Sequence, residues 1–246
     1  MPHLRRHSKD LWRNRRPLLR ALLQTEQPTV LGIQEALADQ VTVVAAALGP
    51  AYAWVGRGRN ARGDGERSTV VYDTRRLTLD RFDQRALSDT PRKPGSRSWG
   101  NMIPRVVVTA DFTDTETGRA FTVINTHFDH LSRASRTRSA AMINELVIAS
   151  GRPAIVMGDL NAGPRSPAVR ILTSGPLRDA WTVATTHLTP LWGTYSNYRR
   201  PKIGGKRIDW ILVTAAVTVD RIGINVARVG GAAASDHEPV QAVVRL

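Results

Sequence analysis

Apolar residues along this chain recur in two rhythms, and the switches between them order the elements. From Asp10 to Gln27, Trp12, Leu18, Leu19, Leu22 and Leu23 fall at helical spacing, which predicts an amphipathic helix closed by Pro28. Thr29–Ile33 is a short continuous apolar run that predicts a buried strand, with Gln34-Glu35 at its C-terminal end. Ala36–Leu48 predicts a second helix, stopped by Gly49-Pro50. Strand patterns follow at 51–56, Thr69–Tyr72 and Leu77–Leu87. Arg105–Phe112 and Ala120–Asn125 read as a hairpin turning at Thr117-Gly118. Ser132–Ala149 predicts a helix, Ala154–Met157 a buried strand, and Ser166–Leu172 a short helix. Ile208–Val213, Val217–Ala227 and Pro239–Leu246 predict the closing strands. Three stretches lack either rhythm: the Gly- and Arg-rich 57–67, the Pro-, Gly- and Ser-rich 88–104, and the polar 182–206. Strands outnumber helices and several adjoin through hairpins, so the pattern predicts mixed sheets with helices outside, in a single domain.

Composition narrows the classes. The 246 residues contain no Cys, which excludes disulfides, thiol nucleophiles and Cys-ligated zinc. No apolar run reaches the roughly 18 residues of a membrane helix. The basic segment 1–17 is followed by Leu at helical spacing and not by the apolar core of a secretory signal. The net charge is +14, from 35 Lys+Arg against 21 Asp+Glu. Such a surface favours an anionic partner: nucleic acid, a phosphoester or acidic lipid. With 31 Arg and 4 Lys among the cations, it is equally read as a coding bias towards Arg.

The chemistry sits where apolar strands end, positions from which a rigid scaffold can aim side chains into a cleft. Glu35 follows a buried run and suits either a hard-cation ligand or a first-turn carboxylate. Val123-Ile124-Asn125-Thr126-His127-Phe128-Asp129-His130 ends in two His and an Asp, a spacing that also fits zinc. Gly158-Asp159-Leu160-Asn161 offers a water-activating carboxylate and a phosphate-binding amide, or an Asx-turn. Asp209, within Arg207-Ile208-Asp209-Trp210, costs free energy in an apolar strand unless it is paired, and a His is its natural partner. Ser235-Asp236-His237-Glu238-Pro239 precedes the last strand and offers such a His.

The order of these strings (QE, GE, NTHFDH, GDLN, RIDW and SDHEPV, from Gln34 to Val240) resembles the endonuclease/exonuclease/phosphatase superfamily. The resemblance implies an α/β (α+β) four-layer sandwich, two packed mixed sheets flanked by helices, with divalent-metal-dependent phosphoester hydrolysis at one edge. It implies Glu35 as the principal Mg²⁺ (or Mn²⁺) ligand, with Asp236 at or near the metal. Asp159 would orient or deprotonate the water, and Asn161 would hold a phosphate oxygen. His237 would contact the phosphate, with Asp209 fixing its tautomer. His127 matches a second catalytic His with Glu66 as its support, as in deoxyribonuclease-like members, and Arg105 is carried over as substrate-binding. The expected partner is an anionic phosphoester: nucleic acid, a nucleotide, a phospholipid head group or a sugar phosphate; the expected state is a monomer, cytoplasmic by default, with secretion open if the N-terminus is incomplete. A non-catalytic phosphate-binding module on this fold is the alternative class, and a zinc hydrolase using His127, Asp129 and His130 is a third.

The resemblance also implies an opening strand with a T-[aromatic]-N string ahead of Trp12, where this sequence reads MPHLRR. The expectation is that Met1 is an internal residue of a longer natural chain. A chain complete as it stands would bind metal and hydrolyse weakly or not at all.

Overall fold

The computed structural model describes residues 11–246. The predicted first helix is α1, Trp12–Glu26; Asp10 lies outside the described residues. Strand β1 (Val30–Ala36) and helix α2 (Ala38–Leu48) follow, then β2 (Tyr52–Val55), β3 (Arg67–Asp73) and β4 (Leu77–Ala86). The hairpin is β5 (Val106–Asp114) and β6 (Ala120–His127), with Gly118 left-handed in its turn at φ 69°. Helix α3 (Arg133–Ser150) starts where Ser132 accepts from the Ser135 N–H, and Gly151 ends it in a left-handed cap. β7 (Ala154–Asp159) leads to α4 (Pro167–Ser174), capped by Ser166 with Pro167 in its first turn. Three short elements have no counterpart in the predicted set: β8 (Leu177–Asp179), α5 (Ala180–Val183) and β9 (Thr186–His187). They are too short for either periodicity to register. β10 (Asp209–Thr214), β11 (Thr218–Ile224) and β12 (Val240–Arg245) close the chain.

One six-stranded mixed sheet, in the order β4-β5-β6-β7-β10-β8, forms the spine. Two three-stranded sheets, β1-β3-β2 and β12-β11-β9, cover one of its faces. Among the described residues β1 pairs only with β3, and β12 only with β11. Side-chain alternation explains the layering. Val108, Ala110 and Phe112 of β5 pack against Val70 and Tyr72 of β3, while Ile155 and Val213 pack near Val219 and Ile222 of β11. The opposite parity, Val107, Ile124, Val156 and Leu212, meets Ile143 and Val147 of α3 and Val169 and Leu172 of α4. Helices α1 and α2 cover the outside of the first half-sheet through Leu23, Val44 and Leu48. The result is the expected sandwich of helices, two sheet layers and helices.

Asn125 spans the two sheet layers. It is fully buried, donates to the Ile33 and Thr69 carbonyls at 3.0 and 2.8 Å, and accepts from Gln34 Nε2 at 2.7 Å. Its place in the NTHFDH string is therefore a clamp between sheets, since a buried amide needs all its partners.

Candidate active site

Strand register assembles the site. β6 and β7 are parallel, with Val123, Asn125 and His127 opposite Ile155, Met157 and Asp159. β10 runs antiparallel to β7, with Val213, Ile211 and Asp209 opposite Ile155, Met157 and Asp159. The parity that buries Val123 and Ile155 between the sheet layers thus brings His127, Asp159 and Asp209 into one row at the rim of that interface. Asp209 stands at the start of its strand, not within it as the flanking apolar residues suggested, because β10 runs the other way. Gly158 makes the row possible. Its φ is 151°, and a Cβ there would lie 2.0 Å from the Thr126 carbonyl oxygen.

His237 reaches the row from the segment before β12. Its Nδ1 donates to Asp209 Oδ2 at 2.8 Å, and Tyr195 packs on its ring at a centroid distance of 4.9 Å. Burial alone would lower the His237 pKa, but the Asp209 hydrogen bond and surrounding carboxylates raise it to about 9. Asp159 is raised to about 7, first by burial and then by the charge of Asp209. Among the described residues, Asp159, Asp209 and His237 form the group whose ligating atoms all lie within 4.8 Å.

Glu35 stands exposed at the rim on a β-bulge, where the register slips between Gln34 and Ala36. Its φ of 62° is a left-handed backbone that costs a non-glycine residue about 1–3 kcal/mol, a strain concentrated at functional positions. Asp236 is half-buried beside Ser235, and its carbonyl accepts from the Ser196 and Asn197 N–H groups. Both carboxylates, with Asp159, act on the Tyr195 hydroxyl, whose pKa is raised by burial and then by Asp236, Glu35 and Asp159. An oxygen-rich rim with surplus negative charge fits a hard divalent cation.

Asn161 combines its two expected readings. Its N–H closes an Asx-turn on Asp159 Oδ1 at 2.7 Å with φ 46°, so the strand geometry does not continue past Asp159. The turn still swings its amide into the cleft, where Nδ2 donates to the Phe128 carbonyl at 3.0 Å and lies 3.0 Å from His127 Nε2.

The support of His127 differs from the expected one. Glu66 pairs with Arg59 at 2.5 Å, and burial raises its pKa. Arg105, expected on the substrate, is 3% exposed behind His127: its guanidinium donates to the Nδ1 atoms of His127 and His130 at 3.1 and 2.9 Å and lies 3.5 Å from Asp129. Guanidinium only donates, so Nδ1 of His127 accepts and Nε2 carries the proton. That Nε2 faces Asp159 Oδ2 at 3.5 Å. Burial and then the Arg105 charge hold the His127 pKa well below the usual range, so the ring is neutral. The zinc reading of His127, Asp129 and His130 fails on the same geometry. Arg105 occupies both Nδ1 atoms, and Asp129 accepts the Leu131 and Ser132 N–H groups ahead of α3.

The family's sequence profile spans residues 6–237, nearly the length over which the strings above are ordered. The chain belongs to the endonuclease/exonuclease/phosphatase family. Solved structures agree with this membership. A family protein from Bacteroides vulgatus is 30% identical with a TM-score of 0.90, covering 97% of this chain and 93% of its own. A Bacteroides thetaiotaomicron mannosyl-6-phosphatase is 28% identical with a TM-score of 0.90, covering 98% and 96%. D. rerio TDP2 complexed with a single-strand DNA product shares the fold at 16% identity and a TM-score of 0.74, covering 94% and 92%. No curated protein matches the chain in sequence.

Residues of this family site that sequence reasoning passed over are Tyr195 and Arg59. Tyr195 lies in the aperiodic 182–206 segment, and Arg59 is one of many Arg in a glycine-rich loop, so neither had a local signal. Thr194 was also missed. Its buried hydroxyl accepts the Ile208 and Asp209 N–H groups, both at 3.0 Å, and so seats Asp209.

Proposed function

We propose that the protein hydrolyses a phosphoester by attack of an activated water, with Mg²⁺ or Mn²⁺ at the acidic rim. The observation that carries this is buried Asp159 set against half-buried Asp209 with half-buried His237 beside it. Such a row places a base that titrates near neutrality next to a fixed cation. The divalent ion, when bound, offsets charge on the non-bridging oxygens and eases the ionisation of Asp159. Glu35 would hold it, with Asp236 adjacent. Asp159 takes the water proton. The His127 Nε2–H and the Asn161 amide, 3.0 Å apart, present two donors to one phosphate oxygen. His237, cationic at neutral pH, stabilises charge developing at the phosphorus, and Asp209 keeps its Nε2 turned to the cleft.

The full-length likeness to a mannosyl-6-phosphatase makes a sugar phosphate the first substrate to test, with diesters and DNA after it. The assay is release of phosphate from mannose 6-phosphate, and of p-nitrophenol from bis-p-nitrophenyl phosphate. Each is run with Mg²⁺, with Mn²⁺ and with EDTA, against Asp159→Ala. Metal-dependent and Asp159-dependent release supports the proposal; equal rates in Asp159→Ala would refute it.

A further inference from the structure

One residue of the NTHFDH string takes no part in the proposed hydrolysis. Asn125 clamps the sheets, His127 faces the cleft and Asp129 caps the turn ahead of α3, whereas His130 is exposed. Its ring is nevertheless held. Arg105 commits its guanidinium to three residues of that string. Nη1 donates to His127 Nδ1 at 3.1 Å, Nη2 donates to His130 Nδ1 at 2.9 Å, and Nε lies 3.5 Å from Asp129 Oδ2. Burial and then the Arg105 charge lower the His130 pKa, as they do that of His127, so both rings are neutral near pH 7. A guanidinium offers no lone pair, so in each neutral ring Nδ1 accepts and Nε2 carries the proton. One buried cation thus fixes two imidazoles in the same tautomer.

The two Nε2–H groups meet different surroundings. That of His127 faces inward, 3.0 Å from Asn161 Nδ2 and 3.5 Å from Asp159 Oδ2. That of His130 has no partner among the described residues. The backbone that carries it is pinned to the site on one side and to α3 on the other. The Phe128 N–H donates to the Asp159 carbonyl at 2.9 Å, and the Phe128 carbonyl accepts from Asn161 Nδ2 at 3.0 Å. Asp129 Oδ1 accepts from the Leu131 and Ser132 N–H groups at 3.0 and 2.6 Å, and Arg136 Nη1 donates to the Asp129 carbonyl at 2.8 Å. Arg105, with Glu35, Glu66 and His127, lines a small pocket at the rim, and His130 flanks that pocket through its bond to Arg105. His130 is therefore a fixed donor beside the cleft, two residues from the carbonyl that seats the Asn161 amide, and its orientation is set before any ligand arrives.

We propose that His130 is a specificity-determining residue that donates its Nε2–H to an oxygen on the organic portion of the substrate, beside the phosphate that is cleaved. His127 and Asn161 hold the phosphate oxygen, and His130 is set apart from them by the width of one guanidinium, so its donor meets what the phosphate is attached to. A neutral N–H suits a hydroxyl or ether oxygen, and a site built to bind such an oxygen discriminates against a substrate that lacks it. The inference rests on the phosphoesterase reading and narrows its substrate to esters of oxygen-rich alcohols, the class of sugars and nucleosides.

The test is steady-state kinetics of the full chain under saturating Mg²⁺, with the wild type set against His130→Ala and His130→Gln. The probes form two pairs, mannose 6-phosphate against p-nitrophenyl phosphate, and the p-nitrophenyl ester of thymidine 5′-monophosphate against bis-p-nitrophenyl phosphate. Within the pair that the wild type turns over, His130→Ala should lower kcat/KM for the oxygen-rich member about three- to tenfold more than for the aryl member. The difference should lie mainly in KM, and His130→Gln, which keeps an N–H donor, should retain part of the preference. Equal losses for both members, no loss for either, or a difference confined to kcat would overturn the inference. A second readout is independent of turnover: the ¹⁵N imidazole spectrum of the wild type at pH 7.5 should show both His127 and His130 protonated on Nε2. A His130 protonated on Nδ1 would overturn the inference as well. Failure of the phosphoesterase reading is distinguishable. It shows as no metal-dependent hydrolysis of any of the four probes by the wild type, with both imidazoles still protonated on Nε2, and it takes this inference with it.

Discussion

Asp209→Asn separates charge from shape beside His237. The amide oxygen can still accept the His237 Nδ1–H that Asp209 accepts at 2.8 and 3.1 Å, but the negative charge is gone. Burial is the largest influence on His237 and acts downward; the Asp209 bond and charge are what lift it to about 9. The variant His237 should therefore titrate at or below the ordinary value of about 6.5. At pH 8 the wild-type ring is roughly nine-tenths protonated and the variant ring about 3%, so a step needing cationic His237 should slow about 30-fold. The sign for stability follows from the same shift. A raised His pKa stabilises the native state fully below pH 6.5, and the gain fades as pH rises through about 9. Its upper bound is about 3 kcal/mol. The assays are kcat/KM against pH under saturating Mg²⁺, the imidazole NMR titration of His237, and urea midpoints at pH 6 and 9.5. The basic limb should move down by about two pH units or more. The stability deficit of the variant should be present at pH 6 and small at pH 9.5. A basic limb that stays near pH 9 in the variant would refute the role given to His237 and Asp209.

Asp159→Asn should cost about 10²- to 10⁴-fold in turnover. In EDTA it should melt above the wild type at pH 8.5, because the native carboxyl with its pKa raised to about 7 is penalised once pH exceeds its unfolded value; a wild type that holds its lead across this range counts against the buried-charge account. For the same reason Mg²⁺ should raise the wild-type Tm more at pH 8 than at pH 5.5, as read by differential scanning fluorimetry. Arg105→Met leaves Asp129 buried without its cation and frees two imidazoles, so the urea midpoint should report a loss of about 3–5 kcal/mol; an unchanged midpoint would show that Arg105 is dispensable to the fold. Gly158→Ala should yield little folded protein by circular dichroism, since its Cβ would sit 2.0 Å from a backbone oxygen that strand pairing holds in place.

Much of the frame was legible because the forces behind it are local. The serine caps of α3 and α4 lie within a few residues of what they cap, and the apolar alternation of β5, β6 and β7 directly reports which sides they bury. The polar strings were legible as deviations from that alternation. Three features were not. The Glu35 bulge depends on pairing with β3, where Gln34 faces Ser68 and Ala36 faces Arg67, so two steps along β1 match one along β3 and the residue left over cannot be seen from one strand. The partner of His127 was misassigned because Arg105 and Glu66 are both distant in sequence, and only packing decides which of them turns inward. The segment 182–206 has no periodicity because it is held by bridges to other segments, such as Tyr195 to His237.

By itself the sequence determined the order of helices and strands, the layered class, the family, and the carboxylates and histidines from which a site would be drawn. These follow from periodicity and from short strings whose residues act on near neighbours. The tertiary structure decided the roles. Parallel pairing of β6 with β7 and antiparallel pairing with β10 brought His127, Asp159 and Asp209 into one row, and burial then shifted the protonation of His127 and Asp159. It also turned Arg105 from an expected substrate contact into the support of His127. Register and burial are properties of pairs of distant segments, and one-dimensional pattern carries neither.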